Sequence, residues 1–171
     1  MPDYYGTTGD ADAYHAAHGN TAWTGSAELK AAALLRGSVY VDSLGRKLLP
    51  SGIWVTMFVG KKTGARTQLR SWPRTDAVDI DGNAIGANEI PVEVLQATYE
   101  AALREIAAPG SLMPDFTPSA QVKREKAGPW EEEYFEPAAG TNPDQPIITA
   151  ILDILAPLLI ARFGWPVMLV I

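Results

Sequence analysis

A chain of 171 residues, 47% of them hydrophobic, is long enough for one buried core and too apolar for a disordered polymer. It has no cysteine, which excludes disulfides, thiolate metal sites and cysteine nucleophiles together, and a net charge of −6, which argues against a general nucleic-acid binder. That charge is unevenly placed: no acidic residue occurs between Ser43 and Thr75, and this window carries +7 against −13 for the remainder.

The first residues, Met1-Pro2-Asp3-Tyr4-Tyr5, lack the basic and apolar regions of a signal peptide, so the chain is expected to stay in the cytoplasm where it is made. Thr8 or Asp10 can cap a short helix running to His18, and Gly19-Asn20 stops it. Ser26 opens a longer helix, Ala27 to Leu44. Leu34, Leu35, Val39 and Val41 give it an apolar face and Ala31 to Ala33 supply propensity; Gly37 weakens it and Gly45 ends it. Residues 46–90 do not read as helix. They hold a strand-like run, Trp54 to Val59, an extended bend at Trp72-Pro73 and a turn at Asp81-Gly82-Asn83. A loop of this length inside a compact domain usually has a partner.

Pro91 suits a first helical position, and Val92, Leu95, Tyr99, Ala102, Leu103 and Ile106 then recur on one face until Pro109-Gly110. Within 119–136 a basic and an acidic strand flank Gly128-Pro129, a favourable hairpin pairing. A Pro/Gly-containing linker, 137–146, precedes a strongly apolar stretch from Ile147 to Ala161, interrupted by Asp153 and Pro157, and the tail Trp165 to Ile171. Asp153, Pro157 and Arg162 interrupt every window long enough to span a membrane, so no membrane partner is expected. The expected fold is mainly α. A small helical core (10–44 and 91–108) carries long extended loops, a projecting arm at 46–90, a β-hairpin and a C-terminal extended tail. Residues 1–136 form the domain, and 137–171 form the linker, C-terminal helix and tail.

No constellation supports catalysis, a cofactor or a metal. Asp79-Ile80-Asp81-Gly82-Asn83 would place Ala77 and Asn88 where a calcium loop needs its end ligands. Gly60-Lys61-Lys62-Thr63-Gly64 lacks the first glycine of a phosphate loop and its strand-loop-helix context. His15 and His18 share a helix face without a third ligand. Two segments instead read as partner-binding. The basic arm, with Arg46, Lys47, Lys61, Lys62, Arg66, Arg70 and Arg74, is expected to meet acidic surface on another copy or another protein. The tail, with Trp165, Val167, Met168, Leu169, Val170 and Ile171, is expected to add as a strand to a neighbour. Trp54, Trp72 and the cations between them also have the composition of a single-strand-binding surface.

Four stretches in order are similar to a phage family: Ala11 to Asn20 with Trp23; Gln68-Leu69-Arg70-Ser71-Trp72-Pro73-Arg74-Thr75; Asp79-Ile80-Asp81-Gly82 leading to Ile90-Pro91; and Ala97 to Leu103. The pattern resembles phage proteins labelled DnaT-like single-stranded DNA-binding proteins, and these in turn look like head-completion or head-tail adaptor proteins of long-tailed phages. The adaptor resemblance implies a non-enzymatic subunit of a homo-oligomeric ring, twelve copies, in the virion neck. Its partners would be the portal protein and a tail-side neck protein, with packaged DNA nearby. That is the leading expectation. The alternative is a single-stranded DNA-binding protein of phage replication, using Arg66, Arg70, Arg74 and Trp72.

Overall fold

The computed structural model of the chain describes residues 3–49, 51–114, 124–127, 130–133 and 147–160. Four helices and short antiparallel strand pairs make up these residues, so the fold is mainly α with hairpins. Helix α1 spans Thr8–Ala17; Thr7, rather than Thr8 or Asp10, is its N-cap, its hydroxyl accepting from the Asp10 amide at 3.1 Å. Helix α2, Ala27–Leu44, is capped by Ser26 as its sequence indicates. Helix α3, Val92–Ala107, starts one residue later than expected, with Pro91 as its cap. Helix α4 is Thr149–Leu155, continued by a 3-10 turn over Ala156–Leu158.

The body is the packing of α2 on α3, with α4 also packed on α3. Gly37 sits where α2 and α3 touch: a Cβ there would lie 2.8 Å from the Thr98 carbonyl oxygen and 3.1 Å from the Ala102 nitrogen. The glycine that weakens the isolated helix is therefore what lets two helices meet backbone to backbone. The buried face of α2 turns with it. Leu34, Ser38, Tyr40 and Val41 are interior, while Leu35 is exposed and Val39 only half-buried. On α3, Tyr99 and Ala102 are buried as expected, but Val92 lies at the surface.

The arm between α2 and α3 departs most from expectation. It does not project. β1 (Arg46–Leu48) pairs with β2 (Trp54–Thr56), β3 (Lys61–Lys62) with β4 (Arg74–Thr75), and β5 (Ala77–Val78) with β6 (Ala84–Ile85), all antiparallel. Phe58, Trp72 and Ala77 enter the same core as Tyr5, Tyr40, Val94, Ile151 and Leu155. Burying side chains of this size stabilises by roughly 1.5–3 kcal/mol each, enough to hold the arm down. The C-terminal side straps it further. The Val59 amide donates to the Leu158 carbonyl at 3.1 Å and the Ile160 amide to the Met57 carbonyl at 2.6 Å. Residues 147–160, placed by the sequence outside the main domain, thus share its core. β7 (Arg124–Ala127) and β8 (Trp130–Glu133) form the expected hairpin, in a register that opposes Arg124 to Glu133 and Lys126 to Glu131. The tail residues Trp165, Val167, Met168, Leu169, Val170 and Ile171 lie outside the described residues.

Candidate nucleic-acid interface

The seven cations of the arm divide into three groups once folded. Arg74 is interior, 3% exposed. Its guanidinium donates to the carbonyls of Val59 (2.6 Å), Gly60 (2.6 Å) and Ser71 (3.2 Å), with Phe58 at 3.5 Å, and it faces the Trp72 ring at 5.9 Å. Burial pushes its pKa below the ordinary arginine value, opposed by the nearby Tyr5 and Asp42. An arginine remains charged regardless. Arg74 therefore tethers strands rather than waiting for a partner, contrary to its reading as an exposed contact. Trp72 is 1% exposed and contacts Phe58 edge-on, so it cannot stack on a base.

Arg70 is half committed. Its Nη1 lies 3.3 Å from Asp42 Oδ2 and its Nε donates to the Asp3 carbonyl at 2.6 Å. Asp42, the last acidic residue before the acid-free window, is the counterpart that the arm's charge called for, supplied by the chain's own α2. Its other oxygen accepts from the Tyr5 hydroxyl at 2.6 Å and the Ser71 amide at 3.1 Å. Burial, then the charge of Asp42, raises the Tyr5 pKa, so the phenol stays a donor. The Trp72 amide in turn donates to the Tyr5 oxygen at 3.0 Å. This network joins the N-terminal segment, α2 and the 70–72 loop.

The remaining cations are open. Lys62 gives one of its donors to the Gln68 carbonyl at 3.1 Å. The side chains of Arg46, Lys47, Lys61 and Arg66 make no hydrogen bond or ion pair among the described residues. Arg46, Lys61 and Arg66 are exposed. Arg46, Lys62, Arg70 and Arg74 surround a cleft of about 220 Å³ with Asp42, Ser71, Thr56, Val39, Gly45 and Leu69. Asp42 is its single carboxylate, and that carboxylate is already bonded. The register of β1 with β2 extends the surface. Arg46 opposes Thr56 and Leu48 opposes Trp54, so alternation places Arg46, Leu48, Trp54 and Thr56 on one face of the hairpin. Trp54 is 62% exposed and Leu69, on the cleft wall, 66%. The sequence flagged Trp54 and the cations but not Asp42, Ser71 or Leu69. Nothing in their spacing indicates a shared cleft, because α2 and the 68–71 loop meet only through tertiary packing.

No cluster of metal-ligating side chains occurs among the described residues. His15 is interior, its ring against Trp23 at 4.5 Å, and its Nδ1 contacts Asn20 at 3.0 Å. It is a core residue of α1.

The described residues thus make a mainly α domain carrying a cationic cleft and an exposed tryptophan. The family can be stated more closely. Residues 2–169 match the model of the family described as "Putative DnaT-like ssDNA binding protein", and the chain belongs to that family. No curated protein and no solved structure matches it.

This membership corrects the leading expectation of a head-to-tail adaptor. The family is described by single-stranded DNA binding, and nothing in the match points to a portal, a neck or a twelve-copy ring. The physical argument for the adaptor fails with it. The arm was to be a free limb seeking acidic surface on a neighbour, yet it is folded into the core and its Arg70 already meets an acid in Asp42.

Proposed function

We propose that the protein binds single-stranded DNA across the cleft and along the Trp54 face of the β1–β2 hairpin. One observation carries this reading: Arg46, whose side chain is unbonded among the described residues, belongs to both the cleft wall and the face that presents the exposed Trp54. Phosphates pair with Arg46, Lys62 and Arg70, while a base stacks on Trp54; stacking of this kind needs no particular base. The net charge of −6 does not oppose this. Charges beyond about 8–10 Å are screened at physiological salt, so the local cationic patch governs the contact. Family membership supports the same reading.

The test is fluorescence anisotropy of a labelled oligothymidylate titrated with the full chain over a salt series. Pairing of three phosphates predicts a slope of log K against log salt of about −2, at about −0.7 per phosphate on single strands. Absence of binding at low salt refutes the proposal, as does a slope near zero.

A further inference from the structure

The cleft contains one acid among its cations, and its position is specific. Asp42 Oδ1 holds two donors from the fold, the Tyr5 hydroxyl and the Ser71 amide. Among the described residues its Oδ2 holds only Arg70 Nη1, at 3.3 Å, longer than the usual 2.7–2.9 Å of a charge-assisted bond. The two halves of the carboxylate therefore do different work. Losing the Arg70 contact leaves Asp42 still bonded through Oδ1, so the buried carboxylate is not stranded. Arg70 is anchored separately: its Nε on the Asp3 carbonyl, at 2.6 Å, is a pivot about which the Nη edge can turn within the cleft.

We propose that Asp42 competes with DNA phosphate for Arg70, holding the guanidinium in the empty cleft and releasing it to an incoming phosphodiester. This deepens the single-stranded DNA reading and rests on it for the identity of the ligand. A carboxylate and a phosphodiester each carry one charge and offer paired oxygens to the same guanidinium edge. The exchange leaves the paired charge at Arg70 unchanged, and the energy already spent on Asp42 is subtracted from the energy gained on DNA. Asp42 thus weakens binding at a site that has the cations to bind more tightly, and it favours rapid release. Arg46 has no such competitor among the described residues, so its contact with phosphate is worth more than that of Arg70.

The experiment compares wild type with Asp42→Asn, an isosteric change that preserves an acceptor for Tyr5 and Ser71. Oligothymidylate binding by Asp42→Asn should be roughly three- to tenfold tighter at low salt, the scale of one partly solvated charged contact. Glu28→Gln makes the same charge change about 21 Å away along α2, at 1.5 Å per residue, and should leave affinity unchanged within twofold. In an Arg70→Ala background, Asp42→Asn should gain nothing. Equal gains with and without Arg70, or from Glu28→Gln, overturn the proposal in favour of a general charge effect. Should Asp42→Asn fail to fold, Arg46→Ala and Arg70→Ala decide: the proposal requires the larger loss of affinity at Arg46, and an equal or larger loss at Arg70 overturns it. Titration with inorganic phosphate, following the Arg70 Nε–H resonance, separates this proposal from the DNA reading. Tighter phosphate binding by Asp42→Asn supports the competition even where wild type ignores DNA, an outcome that would sink the DNA reading alone. No difference in phosphate binding between the two overturns the competition even where DNA binds.

Discussion

Gly37→Ala sets helix propensity against packing, and the structure says which wins. In an isolated helix the change stabilises by about 1 kcal/mol, the cost of glycine in a helix interior. At the α2–α3 contact the added Cβ would stand 2.8 Å from the Thr98 carbonyl oxygen and 3.1 Å from the Ala102 nitrogen. Both are backbone atoms inside α3, so relief requires the helices to separate. Separation loosens the buried Leu34, Val41, Val94, Ala97 and Ala101 that line the two helices. Overpacking of this kind costs about 1–3 kcal/mol, and contact with rigid backbone places the cost at the upper end. The net expectation is destabilisation by about 1–2 kcal/mol, the upper cost less the propensity gain. Urea unfolding followed by circular dichroism reads this as a lower midpoint at unchanged slope. Ala32→Gly, at an exposed position of the same helix, supplies the propensity scale and should lose about 1 kcal/mol. A Gly37→Ala protein more stable than wild type would refute the close-approach account and restore the simple reading of Gly37 as a weak point.

Trp54→Ala should weaken oligonucleotide binding by about 1–3 kcal/mol without lowering the urea midpoint, because stacking is lost and little burial is; a stability loss with unchanged binding would place Trp54 in the fold instead. Arg74→Ala should destabilise by about 3 kcal/mol or more, since it strips charged donors from the carbonyls of Val59, Gly60 and Ser71; an unchanged urea midpoint would return Arg74 to the surface. Burial lowers the His15 pKa from its ordinary 6.5. The unfolded chain therefore takes up the proton first, and the stability held above pH 6.5 falls as the pH drops through that value toward the folded pKa. His15→Phe should flatten the pH dependence of unfolding below about pH 6.5, and an equally steep dependence in that variant would assign the effect to other groups. Tyr14, beside Glu100 at 3.2 Å and partly buried, has its pKa pushed up to about 12, so its ultraviolet titration should fall above that of a free tyrosine.

The elements were legible in the sequence because their signals are local. Ser26 announces α2 by capping it, the apolar repeat along 92–106 announces α3, and Asp81-Gly82-Asn83 announces its turn, where the Asp79 carboxylate takes the Asn83 amide at 2.8 Å. The acid-free cationic stretch and Trp54 were equally plain. Their fates were not. Arg74 and Arg46 are the same residue type in one charge run, yet one is bonded to main-chain carbonyls in the interior and the other is free on a hairpin. Trp72 and Trp54 divide in the same way, 1% against 62% exposed. Charge and hydrophobicity are properties of a residue; burial belongs to the assembled chain. The sequence by itself determined the helices, the turns and which segment carries the positive charge. Only the tertiary structure decided that the arm folds inward on Phe58 and Trp72, and that Asp42, at the far end of α2, stands opposite Arg70. Such pairings join residues far apart along the chain, and the contacts that select them form only when the core closes.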